Sequence, residues 1–501
     1  MKRRTIAILA ALILSTSVMF SGCGNAPGVV SDDGQTASVA DTTQSTSQTE
    51  SIGEASADNS ATADNTKYAY QKNDDGTIAM SYGAILHAWS WSFKTITENL
   101  QAIKDAGYTS IQTSPINECK VGEDGGMEIY GNGKWYYHYQ PTDYKIGNYQ
   151  LGTEDEFKNM CAEAKKLGLK IIVDAPINHV SSDMSAVSDN IKNLCDNPFH
   201  DVGEITNYAS RKQCTQGDLL GLHDLNTQDK KVQEYELNYL KSVIADGASG
   251  FRYDAAKHIE LPDDKDTFAS DFWPTILDNG AEFQYGEILQ GEGDRIDAYA
   301  ELMSVTASNY GEAVRRAAGG NMSVSNIEGY GSSKVDESKF VTWVESHDNY
   351  CNDGTWENYD ESEIERGWAV IAARSGGAPL FFSRPAGAST DDQWGNNKLG
   401  LAGSDAFKSD TVKAVNHFRN EMAGLGETLS NLDGDTKQVL MIERGDKGAV
   451  IINAAESEFT LDAPTVLKDG TYNDKVTNAE FTVSGGKITG KIPANGIIVI
   501  Y

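Results

Sequence analysis

Residues 169–179 read LKIIVDAPINH, an apolar run that breaks off into an acid, an amide and an imidazole. Ile171, Ile172 and Val173 show no polar alternation, so both faces of this strand are expected to be buried, the mark of a parallel sheet covered by helices. The residues before it agree. Thr153 and Glu156 form a capping box, Phe157, Met160 and Leu167 share one helical face, and Gly168 stops the helix.

The same alternation extends in both directions. Apolar strands are predicted at 83–89, 108–113, 169–173, 250–253, 281–285, 322–325, 340–344 and 378–382. Thr95 and Glu98 read as the box that opens a helix with Ile96, Leu100 and Ile103 on its inner face, and another helix covers 232–244. Eight strand-helix units in roughly 300 residues predict an α/β chain folded as a closed (β/α)8 TIM barrel, spanning 68–430. A small domain is expected to be inserted after strand three, at about 180–228. From 431 to 501, short alternating strands with Asp-Gly and Gly-Gly turns predict a C-terminal antiparallel β-sandwich domain.

The chain has 501 residues and a net charge of −31, with 42 lysines and arginines against 73 aspartates and glutamates. That excess would repel a phosphate backbone, so no nucleic-acid partner is expected. The N-terminus differs from the rest. Lys2, Arg3 and Arg4 precede an apolar run from Ile6 to Phe20, too short to span a bilayer as a helix, and Ser21 and Gly22 lead into Cys23. Residues 1–22 are read as a signal peptide, and the ending resembles a bacterial lipobox in which Cys23 is lipidated. Serine, threonine, alanine and aspartate dominate 23–67, a segment too polar to form a core and expected to be a flexible tether. The protein is therefore expected outside the cell, held to the membrane only through this lipid anchor; a monomer is expected, with the oligomeric state left open by the sequence. Five cysteines remain, of which Cys195 and Cys214 are spaced to close one loop.

Polar residues gather where the strands end. Strand three runs into Asp174, Asn178 and His179, strand four into Arg252, Asp254, Lys257 and His258, strand five into Glu287, and strand seven into Glu345, His347 and Asp348. In a parallel barrel these positions converge on one rim. Asp254 and Glu287 lie about one strand-helix unit apart, and Glu287 and Asp348 about two. Any one acid alone reads as a helix cap or a solvated loop residue; several at matching ends suit glycosidic bond cleavage, where one carboxyl group protonates the leaving oxygen and another attacks or supports the anomeric carbon.

Five segments carry a resemblance: HYQPTDYKIGN (138–148), DAPINH (174–179), GFRYDAAKH (250–258), EFQYGEIL (282–289) and WVESHD (343–348). Across roughly residues 80–501 the chain resembles the α-amylases of glycoside hydrolase family 13. The resemblance implies Asp254 as nucleophile beside Arg252, Glu287 as general acid and base, and Asp348 as the third carboxylate. It implies that His179 and His347 donate hydrogen bonds to sugar hydroxyls, that Lys257 and His258 touch sugars on the leaving side, and that Tyr139 stacks on a sugar ring. Tyr136, Trp89 and Trp91 are weaker aromatic candidates. It also implies Ca2+ held by Asn178, Asp224 and the backbone oxygens of Thr215 and His258. Ser346 stands where chloride-binding members have asparagine, so chloride is not expected. The implied activity is retaining endo-hydrolysis of internal α-1,4-glucosidic bonds in starch or maltooligosaccharides. Two alternatives stay open: transglycosylation with the same residues, and a non-catalytic cell-surface glycan-binding lipoprotein.

Overall fold

A computed structural model of the protein describes residues 65–501 apart from 266, 267 and 292. The expected signal peptide, Cys23 and the tether as far as residue 64 lie outside these residues. Eight parallel strands close into a barrel: β1 (Ile85–Ala88), β2 (Ser110–Thr113), β3 (Lys170–Ala175), β4 (Gly250–Tyr253), β5 (Phe283–Gly286), β6 (Ser304–Thr306), β7 (Phe340–Trp343) and β8 (Ala378–Phe382). Each pairs with its neighbours in sequence order, and β8 returns to β1.

Alternation along the strands sorts the side chains. Ile85, Ile172, Phe283, Tyr285, Val341 and Leu380 pack together inside the barrel, while Leu86, Ile111, Ile171, Val173, Phe251 and Tyr253 join the larger core between the strands and the helices. The sixth strand corrects the sequence reading. It is Ser304–Thr306, whereas the end of the expected strand 322–325 enters a helical turn, Val324–Ile327. Only three residues long and following directly on the helix Ile296–Leu302, β6 carries too little alternation to stand out.

The helix α1 (Phe93–Asp105) buries Ile96, Leu100 and Ile103 as expected, but its cap is Ser92, whose side chain accepts from Thr95 N. The predicted Thr95–Glu98 box is therefore wrong by one turn. In α2 (Glu154–Lys166) the Thr153–Glu156 capping box is complete in both directions. The helix α3 (Lys230–Ala245) leads into β4. Between β3 and α3, strands His179–Val180 and His223–Asp224 pair antiparallel and enclose the short helices Asp189–Lys192 and Arg211–Gln216.

A second all-β body follows from Glu427. One four-stranded sheet contains Glu427–Asn431, Val439–Arg444, Gly448–Asn453 and Ile497–Ile500; a second contains Phe459–Pro464, Gly470–Asn473, Glu480–Ser484 and Lys487–Ile492. Val439, Met441, Ile451, Leu461, Phe481, Ile488 and Ile498 fill the space between them, which makes an antiparallel sandwich. Cys195 and Cys214 do not form the loop-closing pair that their spacing suggested; both are free thiols, as are Cys119, Cys161 and Cys351.

Candidate active site

The reactive rim continues the barrel interior. In β4 the inward parity that carries Gly250 and Arg252 next reaches Asp254; in β3 it passes from Ile172 to Asp174, and in β5 from Phe283 and Tyr285 to Glu287. Register then sets the pairs at one height, with Arg252 beside Asp174 on one side and beside Tyr285 on the other.

Arg252 is the centre. Its Nη1 donates to Asp174 Oδ1 at 2.8 Å and Oδ2 at 3.0 Å and to Asp254 Oδ1 at 2.6 Å, while Nη2 meets Glu287 Oε1 at 2.6 Å. All four side chains are buried, although Asp254 and Glu287 sit close to the surface of the cleft. One guanidinium cannot balance three carboxylates out of water, so some of them must hold protons more tightly than usual. Glu287 is pushed up, first by burial and then by the Asp254 charge, against the pull of Arg252. Asp174 is pushed up by burial to about 7, again against Arg252.

Asp348 opens helix α4 (His347–Cys351), capped by Ser346 and Asn349 in a reciprocal box. Its side chain stays 31% open to the cleft, yet desolvation and then the nearby Glu287 drive its pKa well up. His347 Nε2 lies 3.4 Å from Asp348 Oδ2, and burial followed by the Arg252 charge keeps this imidazole neutral far below its ordinary range.

Tyr139 covers the acids from the side. Its hydroxyl donates to Asp174 Oδ2 at 2.9 Å, and its ring stacks on His347 with centroids 5.1 Å apart. His179 is turned toward this loop: Nε2 lies 3.1 Å from Tyr139 O, and Nδ1 lies 3.3 Å from Asn178 Nδ2. Expected as a donor to sugar, it uses both ring nitrogens within the protein here. Burial lowers its pKa to about 4, so the ring is neutral. Lys257 donates to Leu289 O at 3.1 Å, and His258 Nδ1 lies 2.8 Å from Cys214 O. Of the weaker aromatics, Trp91 is fully buried against Phe407, away from the acids, while Trp89 and Tyr136 both lean on Trp135.

Three features were not singled out from the sequence. Trp135 stands edge-on to both Tyr139 and His347, and its neighbouring YQP element was the available signal. His87, at the end of β1, meets His347 edge-on at 5.6 Å with its buried Nε2 unpartnered. Ala255 adopts a left-handed backbone (φ 51°) directly after Asp254, which aims its N–H at Glu287 Oε2, 3.0 Å away. Gly286 makes room for this turn, since a Cβ there would stand 2.9 Å from Ala256 Cβ.

Asn178 and Asp224 sit together where the β3 loop meets the inserted segment. Asn178 Oδ1 and Asp224 Oδ1 are buried with no hydrogen-bond partner, while Asp224 Oδ2 faces His200 Nδ1 at 2.7 Å. The contact between His258 and Cys214 O brings the backbone near Thr215 and His258 together. Among the described residues no group of three or more His, Cys, Asp or Glu side chains forms a metal cluster. Two orphaned amide and carboxylate oxygens together with backbone carbonyls nevertheless fit a hard, oxygen-seeking cation, because calcium does not require a ring of acids.

Two family models match the chain, one described as the α-amylase catalytic domain over residues 90–340 and one as the α-amylase C-terminal all-beta domain over 430–501. An α-amylase of Butyrivibrio fibrisolvens is 43% identical over 460 residues, covering 83% of this chain and 47% of its own. An α-amylase of Clostridium acetobutylicum is 38% identical over 436 residues, covering 84% of this chain and 54% of its own. The chain thus spans about half the length of these two relatives. Among solved structures, a mutant α-amylase I of Eisenia fetida in complex with maltohexaose shares the fold with a TM-score of 0.69 at 22% identity, over 84% of this chain and 97% of that one.

Proposed function

The chain belongs to the α-amylase family, and on that premise we propose that it is an endo-acting enzyme that hydrolyses internal α-1,4-glucosidic bonds of starch and maltooligosaccharides with retention of configuration. The observation that carries this reading is one guanidinium shared by Asp174, Asp254 and Glu287 at the mouth of a closed parallel barrel.

Arg252 occupies Asp254 Oδ1, which leaves Oδ2 to attack the anomeric carbon. As that bond forms, Glu287 gives its proton to the glycosidic oxygen, and the leaving sugar departs with its bonding electrons as an alcohol. The raised pKa of Glu287 keeps that proton available. The glycosyl group is then an ester of Asp254. Ionised Glu287 next takes a proton from water, whose oxygen attacks the anomeric carbon from the face the leaving sugar vacated and releases Asp254 as a carboxylate. Two inversions give retention, and two carboxylates gathered on one guanidinium suit the short separation of about 5 to 5.5 Å that this mechanism needs. Asp348 and neutral His347 are placed to hold the hydroxyls of the ring being cleaved.

Asn178, Asp224 and the backbone oxygens of Thr215 and His258 would hold Ca2+. Bound there, the ion would tie the β3 loop to the inserted segment and offset the Asp224 charge. Chelation is expected to lower the melting temperature by several degrees and calcium to restore it, with Asp224→Asn abolishing the response; scanning calorimetry reads both. We further assign the protein to the outer face of the cell membrane, anchored by lipidated Cys23, on the strength of its N-terminal sequence. Cys23→Ser should release it to the medium, and retention on the cell would sink the anchor.

Time-resolved product analysis on a maltooligosaccharide tests the activity. Early mid-chain products in the α-anomeric form are expected, with turnover lowered about 10² to 10⁴-fold by Glu287→Gln and at least as far by Asp254→Asn. Products longer than the starting sugar would reassign the chain to transglycosylation, and binding without turnover to glycan capture.

A further inference from the structure

A second charged cluster, with no part in bond cleavage itself, ties the inserted segment to the barrel. Its centre is Asp264, on the loop after β4, whose side chain is only 2% exposed. Two arginines converge on it. Arg211 Nε donates to Oδ1 and Oδ2, each at 3.0 Å, and Arg211 Nη2 to Oδ2 at 2.9 Å, while Arg295 Nη1 donates to Oδ1 at 2.8 Å. Leu261 N adds a bond to Oδ2 at 2.8 Å. Arg211 opens the short helix Arg211–Gln216 of the inserted segment, and Arg295 lies on the loop after β5, directly before the helix Ile296–Leu302. Three stretches of chain thus meet on one buried carboxylate, which two guanidiniums and a backbone N–H satisfy.

The contacts run on from the ion pairs toward the reacting groups. Arg211 Nη1 donates to Lys257 O at 2.9 Å and Nη2 to Ile259 O at 3.2 Å; the Tyr299 hydroxyl accepts from Nη2 at 2.7 Å and donates to Ile259 O at 2.5 Å. Those two carbonyls bracket His258, in the turn Ala256–His258 that follows Asp254 and Ala255. Lys257 Nζ in its turn donates to Leu289 O at 3.1 Å, just past Glu287. On the other side of the cluster, Arg295 has a left-handed backbone (φ 50°), and its Nη2 holds a second acid, Asp263, at 2.6 Å. A non-glycine residue keeps that conformation only where its surroundings impose it. Docking the inserted segment requires neither the bracketed carbonyls nor the strained turn, whereas aiming Lys257 accounts for both.

We propose that Asp264 is a positioning residue for the leaving side of the cleft. Through Arg211 it fixes the turn that carries Lys257 and His258, and through Arg295 it fixes the loop that runs on from Leu289, so that the sugar beyond the cleaved bond is held still while Glu287 protonates that bond. The inference rests on the α-glucan reading and on the leaving-side place of Lys257 and His258. Asp264 itself touches neither sugar nor reacting atom. Its effect is therefore selective: it matters to a leaving group that is a sugar and is indifferent to one that leaves that side of the cleft empty.

The test compares two leaving groups on the full chain with calcium present. Maltoheptaose places sugars on both sides of the cleaved bond, whereas α-maltotriosyl fluoride loses fluoride ion with the bonding electrons and puts no sugar on the leaving side. Asp264→Asn should lower kcat/KM on maltoheptaose about ten- to a hundredfold, the cost of a displacement of about 1 Å, and on the fluoride by less than about twofold. Arg295→Gln alters a side chain that is 31% exposed, so it spares the interior, and should show the same split with a smaller loss. Equal losses on the two substrates, or none on maltoheptaose, would overturn the positioning role. A loss that further calcium abolishes would also overturn it, because the effect would then run through the ion. Titration calorimetry of the Glu287→Gln protein with maltoheptaose, with and without Asp264→Asn, needs no turnover. Binding weakened by Asp264→Asn, in a protein whose unmutated form cleaves neither substrate, would keep the positioning role and sink the amylase reading. Cleavage of both substrates indifferent to Asp264→Asn would do the reverse.

Discussion

Two arginines stand at the carboxyl end of the barrel and hold acids in different proportions. Arg384 meets one carboxylate: Nε donates to Glu345 Oε2 at 2.7 Å, Nη2 donates to Oε1 at 2.9 Å, and Nη1 is left to donate to Tyr359 O at 2.9 Å. Arg252 meets three. Both guanidiniums are buried, so burial does not separate their roles; the ratio of charges does. A matched, forked pair is a brace between the β7 and β8 loops. An outnumbered cation leaves carboxyl groups that retain protons and can give them away.

Three experiments press on this contrast. The largest effect is expected from Arg252→Lys, because a point charge cannot serve three carboxylates at once. Its kcat/KM should fall about 10³-fold, in line with the loss of one preorganised charged donor, while circular dichroism shows a folded protein. Next comes Arg384→Met, which strands Glu345 in the interior. Denaturant unfolding should show a loss of about 3 to 5 kcal/mol, with kcat/KM of the remaining folded enzyme within about tenfold of the original, about 1.4 kcal/mol. A loss of activity matching that of Arg252→Lys would erase the distinction. The smallest effect concerns pH. Glu287 must be protonated to act, so kcat/KM should decline as pH rises through its elevated pKa. Asp174→Asn removes a neighbouring negative charge and releases Arg252 toward Glu287, which favours ionisation. The alkaline limb should move to lower pH by less than about one unit, about 1.4 kcal/mol, and a shift to higher pH would reverse the electrostatic account.

What could be read in advance depended on how local the determining physics is. Ile171 to Val173 and the Thr153–Glu156 box were legible because burial and capping act over a few neighbours. Ser304–Thr306 was not, since three residues directly after a helix show no period. Ser92 lost to Thr95 because both hydroxyls lie near the helix start, and only the backbone angles say which one stands outside it. In the site, Asp254, Glu287 and Asp348 were legible as polar interruptions at strand ends. Glu345 belongs to the same stretch as Asp348 and looks equivalent to it; its assignment to Arg384 waits on a contact 39 positions away. The left-handed turn at Ala255 left no trace in composition, because alanine gives no signal of that conformation.

The shared parity of core and rim couples correctness to survival. Tyr285 and Glu287 lie in one alternating row, as do Ile172 and Asp174, so a slip of a single residue in either strand would carry the acid out of the cleft and, in the same movement, send its apolar neighbour out of the barrel. A misaligned chain would therefore be unstable before it was inactive, and a cell's quality control, which recognises exposed apolar surface and knows nothing of catalysis, would remove it. Proofreading of the active site is thus delegated to folding.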